Sequence, residues 1–262
     1  MLLALAAMFA LGPACSNADE PAARSRGEDA AAAARYRVLV FTKTTGYRHD
    51  SIADGVAAIR RLGRRHGFAV DRTEDAGRFA RRGLGRYAAL VFLSTTGNPL
   101  ATAAQRRGLQ RYIRRGGGFL GIHAASDSLY DWPWYVRLVG ASFRRHASGT
   151  PSAVVRVADR RTAMTRPLPR AWRRADEWYA FRSNPRGRVH VLATVDESTY
   201  GPQGEAAMGA DHPIMWCHRY DGGRSVYTAL GHTRASYTEP RFVRHLLGGI
   251  RMAAGRAAFR CG

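Results

Sequence analysis

Three histidines stand just beyond short apolar runs that read as strands. They are His49 in Thr44-Thr45-Gly46-Tyr47-Arg48-His49-Asp50, His123 in Gly121-Ile122-His123-Ala124-Ala125-Ser126-Asp127, and His232 in Gly231-His232-Thr233. Ligands of open α/β sheets collect outside the carboxyl ends of the strands. Three strand-to-loop junctions that each carry an imidazole therefore point to one shared site, although any one of them alone reads equally well as a hydrogen-bonded structural histidine. An imidazole near neutral pH can act as base, acid or metal ligand. His123 occupies a sharp turn between small neighbours, the setting in which several α/β enzymes expose a nucleophile. A histidine there does not support the thioester chemistry of a cysteine-dependent amidotransferase.

Asp176-Glu177-Trp178-Tyr179 supplies carboxylates beside aromatic rings. On a strand alternate side chains share a face, so Glu177 and Tyr179 point together, and Trp178 with Tyr179 offers a wall for a sugar ring. A turn followed by a core strand is the plainer reading. Asp211 to His218 adds His212 and His218, the latter on an alternating strand and readable as a surface residue, while Phe143-Arg144-Arg145 leads to His146. His66, His190 and His245 read as structural or exposed. No HExxH, paired CxxC or P-loop occurs. The expected site is His49, His123 and His232 with Glu177 beside them. The three imidazoles are candidate ligands for a divalent metal such as Zn, Mn or Fe, since imidazole and carboxylate suit these ions.

The elements that must position these residues alternate. Arg37 to Phe41 is an apolar strand suited to burial on both faces. Ser51 to His66 has helical spacing, Phe68 to Val70 and Ala88 to Leu93 read as strands, Ala101 to Arg115 as a helix, and Phe119 to Ile122 as the next strand. This order predicts a parallel, doubly wound α/β sheet. The second half is strand-rich (Val154 to Val157, Trp178 to Phe181, Val189 to Thr194, Ile214 to Tyr220, Ser225 to Ala229) and closes with a helix over Arg241 to Ala254, so antiparallel strands are expected to extend the sheet late.

Leu2 to Leu11 is an apolar run of signal-peptide length, too short to span a bilayer. It leads to Cys15 and a polar stretch, so residues 1–18 are expected to be a signal, with Cys15 a lipidation site or Ala18 close to an ordinary cleavage point. Residues 19–35 read as a flexible linker, 36–256 as the domain and 257–262 as a tail. The expected location is outside the cytoplasm, as a cell-envelope lipoprotein or a periplasmic or extracellular protein. Cys217 reads as a core residue. Its pairing with Cys261 is open in an oxidising compartment, and nothing in the sequence requires it.

The chain has 262 residues, is 45% hydrophobic and carries a formal charge of +21. That composition allows a sizeable core. The charge is almost all arginine, scattered in pairs on helical polar faces without a basic arm or nucleic-acid motif, so no nucleic-acid partner is expected.

Val38-Leu39-Val40-Phe41-Thr42 leading to Tyr47-Arg48-His49-Asp50-Ser51-Ile52 resembles the opening of ThuA-like (trehalose utilisation) domains. Gly116-Gly117-Gly118-Phe119-Leu120-Gly121-Ile122-His123, Asp176-Glu177 with Tyr179, His212-Pro213 with Trp216, and Gly223-Arg224 to Gly231-His232 follow in that family's order. The likeness spans about Tyr36 to Ala254. It implies a flavodoxin-like, class I glutamine amidotransferase-like fold without the catalytic cysteine, and a role in catabolism of trehalose and related sugars through 3-keto intermediates. His146-Ala147 departs from the family's His-Pro. Tyr47, Asp127, Tyr179, Trp216 and His212 are then the expected sugar contacts. The corresponding function is acid–base chemistry, with or without a metal, on a 3-keto sugar or related glycoside, and the alternative is a non-catalytic carbohydrate-binding lipoprotein.

Overall fold

The computed structural model describes residues 34–261. The expected signal, the lipidation site at Cys15 and nearly all of the linker lie outside the described residues. Strands β1 (Tyr36–Phe41), β2 (Phe68–Thr73), β3 (Ala89–Leu93) and β4 (Gly118–Ile122) alternate with helices α1 (Ile52–His66), α2 (Gly77–Ala80) and α3 (Ala103–Arg114). Then come α4 (Pro133–Val139), β5 (Phe143–His146), β6 (Ser152–Val157), β7 (Ala171–Ala175), β8 (Tyr179–Phe181), β9 (His190–Asp196), β10 (Pro213–Tyr220), β11 (Gly223–Thr228) and α5 (Pro240–Ala253).

Nine strands form one sheet in the order β2-β1-β3-β4-β11-β10-β9-β6-β7. The ladders from β2 to β11 are parallel and those from β11 to β7 antiparallel. The α/β fold with antiparallel strands added late is therefore the one expected, with one refinement: β11, late in sequence, runs parallel to β4 in the middle of the sheet. β5 and β8 pair separately as a two-stranded sheet.

Helices cover both faces because consecutive strand residues point opposite ways. On β4, Phe119 meets Tyr135 of α4, while Leu120 lies under Gly249 of α5. On β3, Phe92 packs on Phe79 and Tyr135, while Leu93 approaches Gly55 of α1. The central strands are consequently buried along their whole length, which is why they read as continuous apolar runs. α3 begins at a capping box, with Thr102 and Gln105 bonding each other's backbone N–H, and this supplies otherwise unpaired helix donors.

One question left open by the sequence is answered here and one expectation is corrected. Cys261 is bonded to Cys217 of β10 across a separation of 44 residues. His218 is buried rather than a surface residue, its Nε2 donating to the Arg137 carbonyl.

His245 on α5 is fully buried; its Nδ1 donates to the Met164 carbonyl, and its Nε2 accepts from the Thr228 hydroxyl. Burial pushes its pKa down to about 3. The unfolded chain takes up this proton below about pH 6.5 and the folded protein does not, so His245 adds stability that is complete at neutral pH and lost as pH falls toward 3. The stability advantage of the wild-type protein over His245→Gln is expected to shrink by about 3 kcal/mol between pH 7 and pH 4. Urea unfolding at both pH values measures it, and parallel pH profiles for the two proteins would contradict it.

Candidate active site

His49, His123 and His232 follow β1, β4 and β11. Parallel strands deliver their carboxyl ends to one edge, and the three rings meet there with centroids 4.7 to 5.2 Å apart. His123 Nε2 lies 3.1 Å from His49 Nε2 and 3.2 Å from His232 Nδ1. Glu177 closes the group, with Oε2 3.4 Å from His123 Nε2 and 3.1 Å from His232 Nδ1. One ligand atom from each of the four residues falls within 4.8 Å of all the others.

His123 has a positive φ of 50°, strained for a residue with a Cβ. Its surroundings over-determine that conformation. The Tyr227 hydroxyl donates to the His123 carbonyl and accepts from the Ser126 hydroxyl, and His123 Nδ1 donates to the Ala229 carbonyl at 2.7 Å. The last bond also fixes the tautomer. A carbonyl only accepts, so the proton sits on Nδ1 and the Nε2 lone pair faces the cluster.

Asp176 and Glu177 are adjacent and have separate tasks. Asp176 is fully buried, is paired with Arg174, and accepts the N–H groups of Gly231, His232 and Glu177. It thereby ties the His232 loop to the segment bearing Glu177. Ser51 and Tyr237 both donate to the Gly231 carbonyl from the other side.

Burial, followed by the neighbouring His123 and His232, pushes His49 down to about 3. Burial alone would raise the Glu177 carboxyl, but the flanking imidazoles of His123 and His232 outweigh it and hold the group well below the usual carboxylate range. Burial works against a charged His232, yet its contact with Glu177 raises its pKa. The site at neutral pH thus combines a neutral His49, an anionic Glu177 and a His232 biased toward its proton.

The remaining expected contacts divide. Tyr179 stands beside Glu177's targets, its ring 4.3 Å from that of His123. Tyr47 packs edge-on to His49 and is 65% exposed. Asp127 lies at the rim, holding the Tyr130 hydroxyl; burial raises its pKa. Trp216 and His212 are not at the site. Trp216 is sealed between Tyr227 and Phe181 and donates to the Val139 carbonyl. His212 is buried against Glu197 and the Tyr179 carbonyl, so it braces the strand behind the site. Trp178 forms no wall either, since its indole donates to the Pro151 carbonyl and its ring packs on Tyr200.

His146, which the sequence left unassigned, belongs to the site. It is half-exposed, its Nε2 lies 3.3 Å from Glu177 Oε1, and its Nδ1 donates to the Ala147 carbonyl. The pairing of β5 with β8 sets His146 opposite Tyr179. Tyr130, exposed like Tyr47, was also missed. A chain-order scan of strand ends finds neither, because both sit on connections outside the main sheet.

The donor set fits a divalent metal. Ligands about 2.0–2.1 Å from a tetrahedral Zn are about 3.3 Å from one another, and four pairs within the cluster lie 3.1 to 3.4 Å apart, with all four ligand atoms within 4.8 Å. A carbonyl-anchored imidazole and a carboxylate whose second oxygen has its own partner are the outer supports expected around metal ligands. Without a thiol at the elbow, no ammonia release from glutamine is expected beyond the uncatalysed rate; a coupled glutamate assay checks it, and enzymatic turnover would overturn the reading of the elbow.

A doubly wound sheet presenting a His₃–carboxylate cluster where other α/β proteins present a nucleophile defines the class. Within it, the trehalose utilisation (ThuA) family model matches residues 37–253, and the chain belongs to that family. It is similar to a ThuA-like protein of Bacteroides uniformis (25% identity, TM-score 0.70, covering 84% of this chain and 92% of that one). A ThuA-like protein of Parabacteroides merdae is 20% identical with a TM-score of 0.69, covering 86% and 92%. A β-galactosidase from Bacillus circulans shares the fold alone, at 11% identity and a TM-score of 0.55, over 84% of this chain but 31% of that one. No curated protein sequence matches the chain.

Proposed function

We propose that this protein is an exported enzyme of sugar catabolism that holds a divalent metal on His49, His123, His232 and Glu177 and performs acid–base chemistry on a 3-keto glycoside. One observation carries the reading: four ligand atoms from four separate segments converge within 4.8 Å, with the His123 lone pair turned inward. When bound, Zn, Mn or Fe supplies Lewis-acid stabilisation of an oxyanion next to a leaving proton.

The chain's own groups account for the rest. A ketone acidifies the neighbouring C–H. Glu177 Oε1, on the side facing His146, accepts the C2 proton. The C2–H electrons form the enolate, then the C1=C2 bond as the C1–O bond breaks. The departing glycosidic oxygen takes its proton from the half-exposed His146, and addition of water across C1=C2 completes a net hydrolysis. Tyr47 and Tyr130 offer ring faces to the sugar at the rim. The Cys217–Cys261 bond supports an oxidising compartment and hence export.

Metal analysis of the purified full chain, with turnover of 3-keto glucosides, tests the proposal. About one divalent ion per chain and release of the aglycone are expected. Sugar binding without any turnover would leave the carbohydrate-binding alternative in its place.

A further inference from the structure

A cleft of about 760 Å³ opens at the other end of the parallel strands. Its wall includes Gly117, directly before β4, whereas His123 directly follows β4. Five strand residues, about 16 Å, separate the two ends. Arg81, Arg82, Arg111, Arg115 and Arg224 line the cleft, and no carboxylate does. Among the described residues Arg82, Arg111 and Arg115 form no ion pair, while Arg81 has Asp75 at 3.5 Å. A Cβ added at Gly83, Gly85 or Gly116 would meet nothing within 4 Å, so the wall leaves room for an occupant. Positive charge of this density, with only Arg81 of the five arginines in an ion pair among the described residues, invites an anion, and guanidinium groups match phosphate oxygens in pairs.

We infer that this cleft binds a phosphate-bearing anion and that its occupant is the headgroup of an anionic phospholipid at a membrane surface. Lipid rather than free phosphate follows from the chain's connectivity. β1 starts at Tyr36 and runs parallel with β3, so a tether from the expected lipidation site at Cys15 joins the domain at the cleft's edge of the sheet. Docking there turns the histidine edge away from the membrane, open to soluble sugars. The inference stands apart from the catalytic proposal, since it uses none of its residues.

The test uses the full chain carrying Cys15→Ser, so that no lipid is attached, and vesicles of phosphatidylglycerol with phosphatidylcholine against phosphatidylcholine alone. The preference for anionic vesicles is read at about 0.15 M salt, where distant surface charges are screened. Two arginines at about 1 kcal/mol each correspond to a loss of about 30-fold in that preference for Arg111→Ala with Arg115→Ala. A control pair, Arg160→Ala with Arg173→Ala, removes equal charge elsewhere and is expected to change it less than about threefold. Equal losses in both pairs, or none in either, overturn the inference. Calorimetric titration with inorganic phosphate separates the sources. Phosphate binding that the Arg111/Arg115 pair abolishes, with the vesicle preference unchanged, would assign the cleft to a free phosphate and overturn the lipid assignment.

Discussion

His123→Ala is expected to lower turnover of a 3-keto glycoside by at least about 10³-fold and to weaken metal binding by more than the roughly 10–100-fold typical of losing an outer support. The reason is position. His123 contacts His49, His232 and Glu177 at once, so its removal opens the middle of the cluster. His49→Ala and His232→Ala are expected to weaken metal binding while leaving the His123 elbow formed. Metal binding must also depend on pH, and the sign follows from His232. Glu177 raises the pKa of His232, so a proton competes with the metal there, and affinity should rise with pH until His232 is neutral. His49, pushed down to about 3, and the anionic Glu177 contribute no such dependence near neutrality. Metal titrations of wild type and His123→Ala from pH 5.5 to 8.5 measure both effects. Affinity that is independent of pH and unchanged in the variant would remove the cluster from the mechanism.

The parallel half was legible because its strands are buried on both faces and appear as unbroken apolar runs. The three histidines were legible for the same reason, since strand ends in such a sheet share an edge. The second half was harder. β7, Ala171–Ala175, alternates exposed and buried residues, but two of its five positions are arginines, and the buried Arg174 lies between the rings of Trp172 and Phe242. A buried arginine looks like a surface residue until Asp176 and Glu239 are seen beside it. His218 was read as a surface residue because period-2 reasoning assumes one wet face, and Trp216 was expected at the site from the resemblance alone. β10 is buried on both through its first six residues, so an aromatic there says nothing about which side a ligand occupies. His146 depended on a pairing between β5 and β8, which local sequence does not encode. The glycine-and-arginine cleft at the opposite edge left even less trace, because its lining comes from four separate stretches of chain.

Cys261→Ser is expected to lower the melting temperature by about 8–16 °C. The bond to Cys217 closes a loop of 44 residues, and cross-linking a loop of that length removes about 4 kcal/mol of unfolded-state entropy. For a domain of this size each kcal/mol shifts the midpoint by about 2–4 °C. Both cysteines are buried, Cys217 fully and Cys261 at 2% exposure, so the substitution also leaves the tail without its anchor against β10. The histidine cluster lies on the connections that follow β1, β4 and β11 and on the Glu177 segment, and contains neither cysteine. Metal stoichiometry should therefore be retained below the new midpoint. Thermal unfolding of wild type with and without reductant, beside Cys261→Ser, separates the bond from the side chain. Reductant should reproduce most of the shift in wild type and have no effect on the variant. Alkylation before and after reduction reports the state of the two thiols in protein isolated from its own compartment. A shift under about 2 °C, or two free thiols in that protein, would show that the bond contributes little to the fold and would take away the support it lends to an exported location.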